Sequence, residues 1–208
     1  IERNAFGWST IFQFEIPPSV QSIGKKIFEY CGSLKQIVIP SSIKTIPKGA
    51  FFRCYSLTDI IIPSSVTTIE QNVFFECKSL KQITIPSSVT SIGYSCFGRC
   101  HKLEEITFLA SITFIDDLTF CCCSSLTDII IPSSVTTIGE NVFNNCKNLI
   151  NVTIPPSVTS IGNGCFCGCS ALRNIIIPIS LTEIGDGVFS ECSSLTNVEI
   201  PSPIKSVG

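Results

Sequence analysis

The chain has 208 residues, with 14 Lys and Arg against 16 Asp and Glu and a formal net charge of −2 at pH 7. Because these charges are spread along the chain, it has no basic stripe of the kind that binds nucleic acid. The chain has no run of about 18 apolar residues that would predict a membrane-spanning segment. No targeting segment is visible. The sequence begins without Met and stops in mid-repeat at Gly208, so we expect a fragment of a longer protein.

A unit of 23 residues repeats along the chain, and residues 131–153 are one clear copy. Ile-Pro pairs recur at this spacing, with one proline missing between Pro86 and Pro132. Every unit also has a phenylalanine at one position: Phe28, Phe51, Phe74, Phe97, Phe120, Phe143, Phe166 and Phe189. A fixed period of this length predicts a solenoid, in which stacked units share one continuous core.

Each unit contains a predicted strand that ends at a proline. Leu149, Val152 and Ile154 have the L-x-x-L-x-L spacing typical of leucine-rich repeats. Val152 and Ile154 point to the same side of a strand. Pro155 has no N–H to donate to a neighbouring strand, so the strand is expected to end there.

The rest of the unit is predicted to turn, run back and turn again. The serine pair at 133–134 has hydroxyls that can bond the turning backbone. Gly139 offers a turn or a helix entry. Val142, Phe143 and Cys146 then stand at i, i+1 and i+4, which favours a short α or 3₁₀ turn.

Together these elements predict an α/β leucine-rich repeat solenoid. Strands in register are expected to form a parallel β-sheet on the concave side, with short α or 3₁₀ turns on the convex side, because helical turns are wider than strands. Residues 1–208 are predicted to form a single domain of about eight 23-residue repeats that follows a degenerate unit at residues 1–15.

The degenerate unit at 1–15 departs from the repeat. Phe6 lies one residue out of register, and Trp8 stands where a cysteine is expected. We expect Trp8, Phe12 and Phe14 to cover the end of the core.

The segment 108–120 also departs from the repeat. It keeps the length and the apolar positions, but it lacks the proline, the serine pair and the glycine. Asp116 and Asp117 replace the glycine-containing turn. The favoured interpretation is tolerated drift with a local change of curvature, and a functional kink is the alternative.

Eight of the thirteen cysteines occupy one repeat position, three residues after each phenylalanine: Cys31, Cys54, Cys77, Cys100, Cys123, Cys146, Cys169 and Cys192. Equivalent side chains in stacked units run parallel, so their Cβ atoms do not converge as a disulfide requires. The sequence therefore predicts a ladder of buried, reduced thiols that act as small apolar groups with a weak S–H donor.

Residues for catalysis or metal binding are scarce. His101, the one histidine, follows Cys100 at a position where the units vary widely, and it has no orienting third group in the pattern. Cys121, Cys122 and Cys167 are expected to be incidental exposed thiols, since Cys121 and Cys167 lie two units apart and cannot share a tetrahedral zinc. We expect no enzyme, no metal and no cofactor.

The outward positions of the strands form a candidate binding surface, which we name the strand face. One column of it is Gln36, Asp59, Gln82, Glu105, Asp128, Asn151, Asn174 and Asn197, and the second is Val38, Ile61, Thr84, Thr107, Ile130, Thr153, Ile176 and Glu199. Good strand propensity on a solvated sheet is the alternative explanation of these residues. Asn151 also begins an N-glycosylation sequon, for which chance occurrence is the favoured interpretation.

The repeated motif C-x-x-L-x-x-I-x-I-P-x-S-[VI]-x-x-I-G-x-x-x-F over residues 16–208 resembles the BspA-like leucine-rich repeat family of 23-residue, treponemal-type repeats. This family is abundant in parasitic protists and oral bacteria. The resemblance implies a curved solenoid and, commonly, a surface protein that binds host or matrix proteins, mediates adhesion or acts as an antigen.

From these observations we expect a non-enzymatic solenoid that binds a protein ligand through the strand face. A cell-surface or secreted location is expected from the resemblance. The alternative is an intracellular, cytoplasmic scaffold or regulatory subunit that uses the same face. No nucleic-acid partner is expected, and self-association through the terminal repeats is open, because exposed terminal strands pair readily.

Overall fold

The computed structural model describes residues 1–201, 204 and 206–207, so the part of the predicted 1–208 domain at 202, 203, 205 and 208 lies outside the described residues. The strands are β1 (Gln13–Glu15), β2 (Gln36–Val38), β3 (Thr45–Ile46), β4 (Asp59–Ile61), β5 (Thr68–Ile69), β6 (Gln82–Ile85), β7 (Ser91–Ile92), β8 (Glu105–Phe108), β9 (Phe114–Ile115), β10 (Asp128–Ile130), β11 (Thr137–Ile138), β12 (Asn151–Thr153), β13 (Ser160–Ile161), β14 (Asn174–Ile176), β15 (Glu183–Ile184), β16 (Asn197–Glu199) and β17 (Ser206–Val207).

The strands form two columns, and every strand pair is parallel with a register offset of one repeat, as in Gln36 opposite Asp59. The first column contains the sheets β1-β2-β4, β6-β8, β10-β12 and β14-β16. The second column contains β3-β5-β7, β9-β11-β13 and β15-β17. The predicted parallel solenoid of stacked coils is confirmed. The sequence analysis predicted the first column and described the second only as an extended return.

The expected helical turns are not present: within the described residues the chain forms no helix. Each turn segment is a run of reverse turns that also bonds the next coil. Cys31 N donates to Phe28 O of its own coil, whereas Phe28 N and Tyr30 N donate to Ala50 O and Phe52 O of the following coil. The prediction of a concave sheet depended on helical turns wider than the strands, and such turns are not present in the described residues.

Left-handed backbone explains why no helix forms. Two positions in each turn segment, four residues apart, have positive φ, as at Lys26 (φ 61°) and Tyr30 (φ 60°). A left-handed residue redirects the chain, so alternate N–H groups face the neighbouring coil instead of the preceding turn. The spacing of Val142, Phe143 and Cys146 therefore reflects inward positions of a turn run.

One apolar cluster extends from Ile16 to Val188. Its centre is the phenylalanine column, in which consecutive rings lie parallel with centroids 5.4 to 6.0 Å apart. Such stacking at a fixed offset holds adjacent coils at one spacing. The coils together bury a core that a single coil cannot enclose.

The first coil covers the end of the core, as predicted for Phe14, but with Phe6 in place of Trp8 and Phe12. Phe6 stacks on Phe28 with ring centroids 5.3 Å apart, and Phe14 lies 5.3 Å from the same ring. Trp8 and Phe12 are instead exposed. The cysteine position of this coil is held by Ser9, whose Oγ lies 3.7 Å from the Sγ of Cys31, because residues 4–9 are shifted by one.

The irregular segment 108–120 keeps the path of the coil. Ala110, Ile112 and Ile115 are buried in the core. Asp117 replaces part of the missing turn chemistry, since its Oδ1 accepts a hydrogen bond from Glu140 N at 2.8 Å. The second strand column is interrupted here, between β7 and β9.

Candidate functional site

The structure places the strand face on one side of the first strand column. All sixteen residues are exposed except Thr107, which is half-buried. The residue between them, such as Ile37 or Ile60, is buried in the core in every strand except β16, where Val198 is half-buried. This alternation follows from strand geometry, in which residues i and i+2 point to the same side.

The second column of the strand face exposes apolar side chains. The exposed fractions are 54% for Val38, 83% for Ile61, 75% for Ile130 and 82% for Ile176. Isolated exposed apolar residues are ordinary, but aligned ones rimmed by polar groups are typical of interaction surfaces. Beside this column the first column presents carboxylates and amides.

Open grooves follow the strand face. One, of about 600 Å³, lies over β4, β6 and β8, between Asp59, Gln82 and Glu105 on one side and Ile61, Thr84 and Thr107 on the other. A second, of about 500 Å³, lies over β14 and β16. The strand face therefore offers shallow troughs with one polar and one partly apolar wall.

Polar groups on the strand face bond one another both between coils and within a strand. Asn151 Nδ2 donates to Asp128 Oδ1 at 2.6 Å, and Thr107 Oγ1 donates to Glu105 Oε1 at 3.3 Å. The side-chain amide of the sequon at Asn151 is thus exposed but engaged by a carboxylate of the preceding coil.

The column cysteines line the interior. Cys31 to Cys169 are buried, Cys192 is half-buried, and none is in a disulfide. From Cys54 onward each thiol donates to the phenylalanine carbonyl of the preceding coil, at 3.1 to 3.3 Å. Burial raises the pKa of the Cys77 and Cys146 thiols well above the ordinary value of 9.0.

The remaining candidate groups do not form a reactive site. Cys121, Cys122 and Cys167 are partly buried, not exposed as expected. The Sγ atoms of Cys121 and Cys122 lie 3.5 Å apart, and His101 Nδ1 lies 3.0 Å from the carbonyl oxygen of Cys122. In the part of the chain that the structure describes, no three His, Cys, Asp or Glu side chains converge on a metal position. Nor do these residues include a helix long and apolar enough to cross a bilayer.

A cluster that the sequence analysis missed lies on the outer side of the turn segments, which we name the turn face. Its residues are Trp8, Tyr30, Phe52, Arg53, Phe75, Glu76, Lys78, Tyr94 and Arg99. Aromatic rings stack from coil to coil, with centroids 3.9 Å apart for Trp8 and Tyr30 and 5.2 Å apart for Phe52 and Phe75. The signal in the sequence was the 23-residue spacing of Tyr30, Arg53, Glu76 and Arg99, a position that later coils fill with Cys122, Asn145, Gly168 and Glu191.

Comparison with known proteins places the whole chain in one family. The model of the "BspA type Leucine rich repeat region", in six copies, matches residues 1–127 and 113–208. Comparison with curated protein sequences gave no match. Two solved structures share 34% identity: a leucine-rich repeat protein from Bacteroides ovatus ATCC 8483 (TM-score 0.80, 84% of this chain and 45% of that chain) and the T. pallidum leucine-rich repeat protein (TM-score 0.63, 65% and 66%).

A leucine-rich cell surface protein from Faecalibacterium prausnitzii A2-165 is 25% identical, with a TM-score of 0.55 over 96% of this chain and 82% of that chain. These three structures are bacterial, so the association with parasitic protists gains no support from them. The chain spans less than half of the Bacteroides ovatus chain. With its repeat, its stacked coils and the match over its full length, this chain belongs to the BspA-type leucine-rich repeat family.

Proposed function

We propose that the chain is a non-enzymatic module that binds host or matrix proteins through the strand face, as a cell-surface or secreted adhesion protein. The observation that carries the proposal is the aligned exposure of Val38, Ile61, Ile130 and Ile176 next to a polar column. Burying these side chains against a partner removes apolar surface from water, at about 25 cal/mol per Å². The name of the Faecalibacterium prausnitzii relative as a cell surface protein supports the location.

The polar column supplies the orientation of the partner. Asp59, Glu105 and Asp128 favour basic groups, and the amides from Asn151 onward provide both donors and acceptors. The grooves over β4 to β8 and over β14 and β16 receive protruding side chains. Charge on this face sets the on-rate and the choice of partner more than the affinity.

The binding test measures association with an immobilised panel of purified matrix glycoproteins and collagens by biolayer interferometry. The triple variant Ile61→Ser, Ile130→Ser and Ile176→Ser is expected to weaken binding at least about tenfold, because it removes the exposed apolar column. The triple reversal Asp59→Lys, Glu105→Lys and Asp128→Lys is expected to lower the association rate.

The matched control reverses three exposed acids away from the strand face, Glu140→Lys, Glu183→Lys and Asp186→Lys. It is expected to leave binding unchanged. The proposal fails if the chain binds none of the panel, or if the control weakens binding as much as the strand-face variants. Labelling of the protein on intact cells with a membrane-impermeant biotin reagent tests the location.

A further inference from the structure

We propose that the turn face holds a second binding site, separate from the strand face, for an acidic segment of a partner protein that inserts one aromatic or large aliphatic side chain. The site is a cavity of about 380 Å³ among the turn segments that contain Phe52, Phe75, Tyr94, Arg99 and Cys121. That volume is within the range of ligand pockets, about 300–1,000 Å³.

The walls of the cavity fit an apolar side chain. Phe52 and Phe75 are stacked and only half-buried, Tyr94 is 40% exposed, and Leu118 completes the lining. Aromatic faces left open to solvent at the surface gain most from contact with another apolar or aromatic group. A single inserted side chain therefore accounts for the shape and the chemistry of the cavity.

The charges of the turn face, of which Arg99 lines the cavity, fit an acidic segment. Glu76, whose side chain is 7% exposed, lies 3.3 Å from Arg53 Nε, 3.8 Å from Lys78 Nζ and 3.4 Å from Arg99 Nη1. Three cationic side chains thus share one carboxylate, which leaves a surplus of two positive charges. Asp117 is not part of this group: its Oδ1 accepts a hydrogen bond from the backbone N–H of Glu140, and the carboxylate keeps its own negative charge.

Arg99 is the cation best placed to meet a ligand carboxylate. Its side chain is 56% exposed and lies above the Phe75 ring, 5.9 Å from the centroid, so the guanidinium and the aromatic wall border the same cavity. Guanidinium groups bind carboxylates through two parallel hydrogen bonds, which adds direction to the charge attraction. A surplus of only two charges does not suit a polyanion such as nucleic acid.

The turn face also uses costly backbone. Arg53, Glu76 and Arg99 all have φ between 57° and 60°, although non-glycine residues in this region cost about 1–2 kcal/mol. The same position is held by Cys122, Asn145, Gly168 and Glu191 in the later coils, also with positive φ. The left-handed backbone is therefore a feature of the repeat, and the early coils use this position to display Arg53 and Arg99.

The test uses a fluorescein-labelled peptide with one Phe flanked on both sides by Glu and Asp, and measures fluorescence anisotropy. Saturable binding is expected with a Kd below about 1 mM. Replacing the peptide Phe by Ala, or its acids by amides, is expected to weaken binding at least about tenfold, and so are Arg99→Gln and Tyr94→Ala in the chain. Arg99 and Tyr94 are exposed, so both variants are expected to keep the melting temperature.

Arg173→Gln is the matched control, because it removes one exposed arginine far along the array with the same change of net charge. If Arg173→Gln and Arg99→Gln weaken peptide binding equally, the effect is general charge attraction and the proposed site is wrong. The proposal also fails if replacing the peptide Phe leaves binding unchanged, or if binding does not saturate. Light scattering tests the other possible occupant, which is a second copy of this chain. If the chain forms a dimer that Arg99→Gln dissociates, the ligand of the site is that second copy and not a segment of a partner protein. The strand-face variants are expected to bind this peptide with unchanged affinity, so the experiments test the two proposed sites independently.

Discussion

Serine hydroxyls tie six of the coils to the coil before them. The serine two residues after the proline donates to a carbonyl of the preceding coil, as Ser134 Oγ does to Ile112 O at 2.6 Å. Ser42, Ser65, Ser88, Ser157 and Ser180 repeat the contact. The sequence predicted a bond to the turning backbone, but not which serine makes it, because the partner lies 22 residues away.

Replacing Ser134 by Ala is expected to lower the free energy of unfolding by about 1 kcal/mol, since the buried carbonyl of Ile112 loses its donor. Ser133→Ala, at the exposed neighbour, is the control and is expected to change it by less than about 0.5 kcal/mol. Urea unfolding followed by circular dichroism measures both values. Equal losses in the two variants would contradict the assignment of the contact to the second serine.

At the scale of the repeated element, five of the turn segments begin with a glycine that lies close to the backbone of the preceding coil: Gly24, Gly93, Gly139, Gly162 and Gly185. A Cβ built on Gly162 would lie 2.6 Å from Glu140 N and 2.6 Å from the carbonyl carbon of Gly139. The sequence predicted a turn or helix entry at this glycine. Pro47, Glu70 and Asp116 hold the same position in other coils, so the need for glycine depends on the backbone of the neighbouring coil.

Gly162→Ala is expected to destabilise the chain by about 1–3 kcal/mol, because backbone atoms of the preceding coil must move to admit the methyl group. Ser160→Ala, at an exposed position of the adjacent strand β13, controls for a local change of composition. Thermal unfolding is expected to show a clear drop in Tm for Gly162→Ala alone. An unchanged Tm for Gly162→Ala would contradict this prediction, because it would mean that the two coils can move apart locally without a loss of stability.

The sequence revealed some elements and hid others for physical reasons. Alternation in the strands is a local pattern, so the outward residues of the strand face were predicted completely. Left-handed turns at residues such as Lys26 and Arg53 leave no mark in an apolar pattern, so a helical turn was predicted instead. The turn face was missed because its contacts join variable side chains one repeat apart, such as Arg53 with Tyr30 and Glu76.

At the scale of the whole molecule, the thiol ladder is expected to make the free energy of unfolding fall at alkaline pH. Burial raises the pKa of the Cys77, Cys100, Cys123 and Cys146 thiols well above the ordinary 9.0. In the unfolded chain these thiols ionise near that ordinary value, while in the folded chain they stay protonated. The ladder's contribution is therefore fully present below about pH 9 and is lost as the pH rises above it.

We expect the free energy of unfolding, measured in urea with a reductant present, to fall above about pH 9 by up to about 1.4 kcal/mol per pH unit for each buried thiol. The double variant Cys77→Ala and Cys146→Ala is expected to reduce this slope by up to about 2.7 kcal/mol per pH unit, because two titrating groups are removed. Val73→Ala, which removes buried methyl groups without removing a thiol, is the control and is expected to lower stability equally at every pH. If the slopes of the double variant and the parent agree, the buried thiols do not determine the alkaline limit, and another titrating group sets it.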